Sequence, residues 1–285
     1  MDFRTASIAG AIALTFSTSS FALDLQPYTT KGAPIGKTIF SLGRVSADAS
    51  SANENSTSVR LTHYFDLAGR RAVVDAKQFY RGIEPKGATK TLSGQTEEKG
   101  ISALAFGGGV YLIDDKAAGD YLLAGMFIVT PTGEYSSTKT VNAGENRYTF
   151  IPKVAYHTSL TEKIDMAVSA DLAFYTKNDK VYLNAYSTSV SQEKDAQFNS
   201  QASFMYAVDP SLNLNTSIFY HEGGKTKHSG GYSALDKKTQ NTQASVGFRK
   251  ITDVGAFSVS YKKDINHVSG AELNSQWDLK WKIAW

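Results

Sequence analysis

The stretch that decides the fold is Leu273-Asn-Ser-Gln-Trp277-Asp-Leu279-Lys-Trp281-Lys-Ile283-Ala-Trp285, which contains all three tryptophans of the chain. Its large apolar residues fall on odd positions, whereas Asp278, Lys280 and Lys282 fall on even positions. Because side chains alternate between faces along a strand, this period predicts a β-strand with one aromatic face and one charged face. Such a strand is typical of a transmembrane β-barrel, where one face contacts lipid and the other contacts water. The alternative is a half-buried strand of a soluble sandwich.

The three tryptophans have a predicted role as well as a predicted face. Trp277, Trp281 and Trp285 are four residues apart, so they share one face of the strand at successive depths. Aromatic residues form girdles at the two interfaces of a barrel protein. We therefore predict that these three residues are lipid-interface anchors. Trp285 is expected at the periplasmic interface, as part of a C-terminal signal resembling the one that barrel-assembly machinery reads.

Residues 1–22 have the organisation of a signal peptide. Arg4 supplies positive charge, and residues 8–16 form an apolar run that is too short to span a bilayer as a helix. Ser20 and Ala22 are small residues at the positions preferred before a cleavage site. We expect cleavage after Ala22 and export from a Gram-negative cytoplasm. The alternative is an uncleaved anchor, but nothing after the apolar run lengthens it.

The composition excludes several classes of function. The chain has no cysteine, which excludes disulfides, zinc–thiolate sites and cysteine nucleophiles. Its histidines are scattered without metal-ligand spacing, so neither a metal nor a cofactor is expected. The net charge is only +3, with acids and bases interspersed, so nucleic acid is not an expected partner. After the signal peptide no apolar run approaches the ~20 residues of a transmembrane helix.

Strand-like segments with alternating apolar residues recur along the rest of the chain. They number about twelve, with ten or fourteen as alternatives, and each is near the ~10 residues of a tilted spanning strand. Pro152 falls inside the sixth segment, which predicts a bulge or a missing ladder bond there. The segments are residues 37–47, 56–66, 70–81, 101–114, 120–131, 146–158, 163–176, 195–208, 211–222, 239–251, 255–264 and 273–285.

The connections between the segments alternate in length. Short turns follow the even-numbered segments, and longer loops follow the first five odd-numbered ones, at residues 48–55, 82–100, 132–145, 177–194 and 223–238. Short periplasmic turns, longer external loops and an even strand count are typical of an outer-membrane barrel. We predict an all-β, antiparallel transmembrane barrel with both termini in the periplasm. Residues 23–285 form its single domain, with 23–36 as an N-terminal periplasmic or plug-like segment.

The alternation also predicts which side chains line the lumen. A barrel of about twelve strands leaves a narrow or partly plugged lumen. The basic majority on the inward face favours anionic or polar solutes. The facing of the first, second and fifth segments stays open, because they alternate poorly. The lumen-lining candidates are Arg147, Lys153, Asp165, Asp171, Arg249, Lys262, Asp278, Lys280 and Lys282.

Some outer-membrane barrels are enzymes, and this sequence contains two groups of residues that resemble catalytic arrangements. His157 and Ser159 could form a base–nucleophile pair. They fall at a predicted periplasmic turn, however, and we expect their side chains not to meet. His221, Glu222 and Asp179 could belong to a protease-type rim, but without a paired-aspartate motif they are expected to be solvated loop charges. We therefore expect a barrel that is not an enzyme.

The second half of the chain contains Pro131-x-Gly133-x-Tyr135 and then Gly144-x-Asn146-Arg147-x-x-Phe150-x-Pro152. These two motifs resemble those of the outer-membrane transporter family associated with the meta pathway of phenol degradation. That family's pattern is similar to Pro-x-Gly-x-Tyr followed by Gly-x-Asn-Arg-Trp-x-Phe-x-Pro, and Tyr148 stands here where tryptophan is usual. Residues 174–178 and 223–226 resemble its aromatic-x-x-x-Asn strand end and its Gly-Gly-x-Thr loop. The match covers roughly residues 120–285. The matching positions of the main motif are Pro131, Gly133, Tyr135, Gly144, Asn146, Arg147, Phe150 and Pro152.

The resemblance implies a barrel that carries small organic, including aromatic, compounds across the outer membrane. Its expected partners are outer-membrane lipid and lipopolysaccharide, the assembly machinery and a small-molecule solute, and the barrel is expected to be a monomer. A general or sugar-type porin is the alternative of the same class. A barrel lipase or protease and a structural or adhesive barrel are alternatives of other classes.

Overall fold

The computed structural model describes residues 27–232 and 238–285. The predicted signal peptide, residues 1–22, lies outside these residues, as do residues 23–26 of the predicted plug-like segment. In the described part of the chain, neither the length nor the apolar content of any helix is sufficient for a membrane span.

The described residues form two short α-helices, one 3-10 turn (Asn184–Tyr186) and sixteen strands. Most strands run for ten to sixteen residues, and the shorter ones lie in the connections. In chain order the elements are α1 (Pro27–Lys31), β1 (Thr38–Ala49), β2 (Ala52–Leu67), β3 (Arg70–Pro85), α2 (Gly87–Ser93), β4 (Glu98–Ile101), β5 (Ala105–Asp115), β6 (Asp120–Val129), β7 (Thr149–Ser159), β8 (Ile164–Tyr175), β9 (Asn178–Leu183), β10 (Thr188–Lys194), β11 (Gln197–Asp209), β12 (Leu212–Gly223), β13 (Thr226–His228), β14 (Thr239–Thr252), β15 (Gly255–Ser269) and β16 (Leu273–Ala284).

Twelve antiparallel strands close into a barrel. The hydrogen-bonded order is β1, β2, β3, β5, β6, β7, β8, β11, β12, β14, β15 and β16, and β16 returns to β1. The seam between β1 and β16 starts at Thr38 and Trp285, whose backbones exchange two hydrogen bonds of 3.0 and 3.1 Å. The predicted all-β barrel of twelve strands is therefore confirmed, and the counts of ten and fourteen are set aside.

The two ends of the barrel differ in their connections. At one end, here the termini end, the chain enters and leaves, and short turns join β2–β3, β5–β6, β7–β8, β11–β12 and β14–β15. Aspartate side chains close three of these turns: Asp66 accepts from the Gly69 N–H at 3.0 Å, and Asp115 and Asp209 accept in the same manner. Asp is favoured in turns because its carboxylate bonds the backbone two or three residues on.

The opposite end, here the loop end, corrects one prediction. Residues 48–55 do not form a loop, because β1 and β2 are joined by residues 50–51 alone. Asn53 and Glu54 continue the ladder opposite Asp48 and Ala47, since the alternation of buried side chains in β2 extends to Glu54. Three of the other four long connections carry elements that were predicted only as loops, namely α2, β4 and a small sheet of β9, β10 and β13.

Pro152 interrupts one ladder, as its lack of an N–H predicts. The pairing of β7 with β8 runs from Phe150 opposite Phe174 directly to Lys153 opposite Asp171, without a pair at Pro152. On its other side, Pro152 stays in register opposite Met126 of β6. The missing ladder bond is therefore local, and the barrel wall remains closed around it.

The N-terminal residues run inside the barrel at the termini end. Helix α1 contacts β6, β7, β8 and β11, and Thr30 is fully buried. The Tyr111 hydroxyl donates to the Thr30 carbonyl at 3.0 Å, and Arg71 Nη1 donates to the Ala33 carbonyl at 2.9 Å. The Gly36 N–H then bonds the Tyr64 carbonyl at 2.7 Å. This segment, residues 27–36, is called the N-terminal segment below.

Candidate functional site

A chain of polar side chains crosses four neighbouring strands on the inner face of the barrel. Lys153 of β7 donates to Asp171 of β8 at 3.0 Å, and the Asn199 amide of β11 donates to the same carboxylate at 2.7 Å. The Nδ1 atom of His221 on β12 lies 2.8 Å from Asn199 Oδ1. We call Lys153, Asp171, Asn199 and His221 the lumenal polar network. Every link satisfies a buried polar group, which would otherwise be costly.

Further ion pairs strengthen the inner face of β2 and β3. Arg60 and Asp75 are joined at 2.6 Å, and the Thr62 hydroxyl also donates to Asp75. Nearer the loop end, Arg81 Nε and Nη2 bind the two oxygens of Glu54 at 2.9 and 2.8 Å. The side chains of Arg81 and Glu54 are only 9% and 5% exposed. This two-point geometry is the strongest form of an arginine–carboxylate pair.

An apolar patch covers another part of the inner face. The lumenal apolar cluster consists of Phe79, Ala103, Ala105, Val129, Ile151 and Ala173, with Phe127 and Tyr175 packed against it. Its members come mainly from β3 and from β5 to β8. The inner face of β3, β7 and β8 therefore carries both this apolar cluster and the polar side chains of Asp75, Lys153 and Asp171. An apolar surface beside polar groups is able to bind the carbon skeleton of an organic solute.

Aromatic rings and one arginine hold the N-terminal segment. The Arg71 guanidinium lies 3.7 Å from the Tyr111 ring centroid and 5.3 Å from that of Tyr121, and it also pairs with Asp114 at 2.8 Å. Cation–π contacts of this kind stabilise a desolvated guanidinium. Beside the segment, a cavity of about 350 Å³ lies between Pro34, Arg60, Arg249 and Lys282. The lumen at the termini end is thus narrowed by the segment and not empty.

The remaining predicted lumen residues have different surroundings. Asp165 accepts from Ser159 at 2.7 Å at the termini end, and Lys262 lies 4.3 Å from the Phe219 ring centroid. Asp278 is buried and accepts from the Gln276 amide at 2.8 Å, whereas Lys280 is half-buried on the same face of β16. Lys153 and Asp171 belong to the lumenal polar network. Arg249 and Lys282 line the termini-end cavity.

The tryptophans of β16, and Trp285 directly after it, point away from the lumen. Trp277 and Trp285 are 52% and 60% exposed, and Trp277 packs against the Tyr261 ring with centroids 4.9 Å apart. Trp281 is half-buried beside Phe40, and its indole N–H donates to the Val254 carbonyl at 3.0 Å. Val254 lies in the turn between β14 and β15, so Trp281 sits at the level of the termini-end turns.

The family-type motif builds the loop end of the barrel. Asn146 has a φ of +51°, a left-handed conformation that asparagine tolerates, and its amide donates to Asn178 at 3.0 Å. Asn178 in turn donates to the Glu145 carbonyl and to the Tyr135 hydroxyl. Gly133 and Gly144 pack against each other, because a Cβ on Gly133 would lie 2.9 Å from the Gly144 Cα.

The other motif positions lie above and within β7. Pro131 follows the end of β6, whereas Phe150 and Pro152 face outward on β7. Arg147 lies just before β7 with a side chain that is 4% exposed, and it donates to Gln192 of β10. The three segments that resemble the family, residues 131–152, 174–178 and 223–226, therefore meet at the loop end.

The structure adds detail to one expectation about the histidines and corrects another. The side chains of His157 and Ser159 do approach the same group, because residues two apart share a face of β7: Asp165 Oδ1 lies 2.7 Å from the Ser159 hydroxyl and 3.7 Å from His157 Nε2. The hydroxyl thus donates to the carboxylate and not to the imidazole, so the considered pair of a histidine base and a serine nucleophile is not formed. His221, in contrast, is not a solvated loop residue, since it is buried in the lumenal polar network.

Several functional residues were missed by the sequence reasoning. Arg60 was missed because the facing of β2 was left open, although its even positions from Glu54 to Tyr64 carry the inward side chains. Its partner Asp75 lies on β3, a strand to which no facing was assigned. Arg71 points at the N-terminal segment, whose position no local period reveals. Lys194 lies in β10, a strand of the loop-end sheet that was predicted as a loop. Alternation in β2 was a signal that could have found Arg60.

Comparison with known proteins places this geometry in context. Among solved structures, an outer membrane channel from Pseudomonas putida F1 is similar with a TM-score of 0.82 and 21% identity, over 92% of this chain and 100% of that chain. The transport unit of the autotransporter AIDA-I from Escherichia coli is similar with a TM-score of 0.52 and 11% identity, over 97% of each chain. A search of curated proteins finds no match. At such identities the likeness shows the fold.

The family assignment rests on the sequence itself. A family model with the description "Putative MetA-pathway of phenol degradation" matches residues 37–277. The match runs from the start of β1 into β16, which is nearly the whole barrel. It includes the motif whose residues meet at the loop end, and it agrees with the predicted resemblance. The chain belongs to this family.

Proposed function

We propose that the barrel is an outer-membrane channel through which small organic solutes, aromatic ones among them, diffuse. Family membership supports this proposal, since the family's description refers to phenol degradation. The Pseudomonas putida protein of similar fold is itself named an outer membrane channel. The observation that carries the proposal is the lumenal apolar cluster, which shares β7 and β8 with the lumenal polar network. A path lined by both apolar and polar side chains suits molecules that have both kinds of surface.

The orientation and partners follow from the same proposal. In outer-membrane barrels the short turns face the periplasm and the longer loops face outward. The termini end would then be periplasmic, and the loop end would meet lipopolysaccharide and incoming solute. A single closed barrel leaves no edge strand to pair with a second copy, which supports a monomer. Arg147, Lys153, Asp171 and Arg249 would lie along the path of the solute.

Transport measurements test the proposed channel. In planar bilayers the folded protein is expected to give discrete conductance steps. In liposomes it should admit L-phenylalanine faster than L-arabinose, because only the aromatic solute gains contact with the lumenal apolar cluster. Faster entry of arabinose would point to a sugar-type porin instead. A barrel with neither conductance nor uptake would refute the channel.

Tryptophan fluorescence tests the proposed lipid anchors. Trp277 and Trp281 lie on β16 and Trp285 directly follows it, so the intrinsic emission reports on this end of the chain alone. In bilayers with lipids brominated at known depths, Trp277 and Trp285 should be quenched strongly, because their rings are exposed on the outer face. Single-tryptophan variants, with phenylalanine at the other two positions, assign each depth. Emission that aqueous iodide quenches better than brominated lipid would place these residues in water.

A further inference from the structure

Arg147 is a buried cation whose hydrogen-bonding capacity is largely unused. Its side chain is 4% exposed, and its Nη2 donates to the Gln192 amide oxygen. Among the residues that the structure describes, neither Nε nor Nη1 has a hydrogen-bond partner. The nearest carboxylate, that of Glu145, lies 3.7 Å from Nε, beyond hydrogen-bond range. A buried guanidinium with idle donors is costly, so an acceptor supplied from outside the chain would stabilise it.

A second buried cation lies beside it. Gln192 and Lys194 are two residues apart on β10, so they share one face of that strand. Lys194 is 8% exposed, and its amine lies 4.1 Å from the Tyr175 ring centroid. Burial lowers the pKa of Lys194 to about 8, with Glu145 opposing the shift and Arg147 adding to it. At pH 7 the amine is therefore still mostly protonated.

The walls of this site are built from the family-type segments. Gly224 lies against it, since a Cβ there would be 2.7 Å from Gln197 Oε1 and 3.2 Å from Lys194 Cε. The Tyr175 hydroxyl donates to the same Gln197 at 3.3 Å, and its ring packs on the lumenal apolar cluster. Arg147 and Lys194 together with the Glu145 carboxylate leave a net positive charge beside the lumenal apolar cluster.

We propose that the loop-end mouth contains a binding site for an aromatic carboxylate, whose carboxylate is held between Arg147 and Lys194. The planar guanidinium offers Nε and Nη1 to the two carboxylate oxygens, a geometry that a carboxylate matches and a neutral hydroxyl does not. The ring of the solute would rest beside Tyr175 on the lumenal apolar cluster. This assignment deepens the proposed function by naming a solute class, but binding itself is measurable without transport.

Equilibrium dialysis with radiolabelled benzoate tests the site on the detergent-solubilised full-length protein. Wild-type protein is expected to bind benzoate, and benzyl alcohol should not displace it. Arg147→Gln and, independently, Lys194→Met should each weaken benzoate binding about tenfold or more, the loss expected for a hydrogen bond between charged groups. Lys177→Gln is the matched control, because it removes the same charge from an exposed lysine two residues beyond Tyr175. It should bind like the wild type.

Each other result would overturn the assignment. Benzyl alcohol that binds as tightly as benzoate would show that the charge is not recognised, and inorganic phosphate that binds as tightly would show that the ring is not. Unchanged affinity in both Arg147→Gln and Lys194→Met would place the site elsewhere, and Lys194→Met decides alone if Arg147→Gln fails to fold. A barrel that binds benzoate but does not conduct would refute the channel and leave this site standing.

Discussion

Deletion of residues 23–36 is expected to raise the single-channel conductance several-fold. The N-terminal segment crosses the inside of the barrel at the termini end, where α1 contacts β6, β7, β8 and β11. A helix with its side chains is about 10 Å wide, a large share of the lumen of a twelve-stranded barrel. Conductance grows with the open cross-section, so removing the segment should widen the narrowest part of the path. Planar bilayer recordings of both proteins in the same salt provide the measurement.

The deletion leaves the barrel wall in place. Strand β1 begins at Thr38 and keeps its pairing with β16 and β2. A point variant distinguishes obstruction by the N-terminal segment from a defect in the barrel strands. Arg71→Gln retains the segment but removes the bond to the Ala33 carbonyl and the contact with Asp114. It should give unstable, flickering currents between the two conductance levels. Equal conductance of the wild type and the deletion variant would mean that the segment does not obstruct the path.

Substitution Glu54→Ala is expected to destabilise the folded barrel by about 3–5 kcal/mol, the usual cost of breaking a buried ion pair. The loss arises because Arg81 stays buried without its two-point partner. The free energy of unfolding is measured by urea titration in detergent micelles or liposomes. Because Glu54 and Arg81 join β2 to β3 near the loop end, the opening should begin there.

Two further variants identify the cause of this loss. Glu84→Ala removes an exposed carboxylate three residues from Arg81 on β3 and should change stability by less than about 0.5 kcal/mol. The double variant Glu54→Ala with Arg81→Met removes both charges and should recover most of the stability. A double variant as unstable as Glu54→Ala would show that lost packing, and not an unpaired charge, is responsible.

Strand number and strand position were predictable because lipid and water impose one period on most strands. Strands such as β8, β11 and β16 have lipid on one face and a polar lumen on the other, so their sequences alternate. In β1 the pattern is reversed, with Val45 and Ala47 turned inward while Arg44 and Ser46 are exposed outward. The inward positions of β1 are small or apolar, which concealed its facing.

The loop end of the barrel was harder to predict for a different physical reason. In β6 both faces are apolar, because Tyr121 and Val129 meet aromatic and apolar neighbours inside the barrel and not water. The loop-end sheet of β9, β10 and β13 pairs residues that are far apart in the chain, such as Lys194 and Thr226. Neither feature leaves a local period. The motif around Arg147 marked the right region, but its contacts with Gln192 required the structure.

The seam between β1 and β16 has a consequence for how the molecule is made. Its register joins Ile39 to Ala284 and Ala49 to Leu273, whereas most other neighbouring barrel strands are adjacent in the chain. The entropy lost when two strands pair increases with the length of chain between them. Pairing of β1 with β16 therefore costs the most entropy of any ladder in the barrel, and we expect it to form last. Until then β1 and β16 are two unpaired edges, which hydrocarbon does not tolerate. During assembly these two strand edges are therefore the ones that must be protected from the hydrocarbon. The strand that carries Trp277 and Trp281, β16, provides one of them.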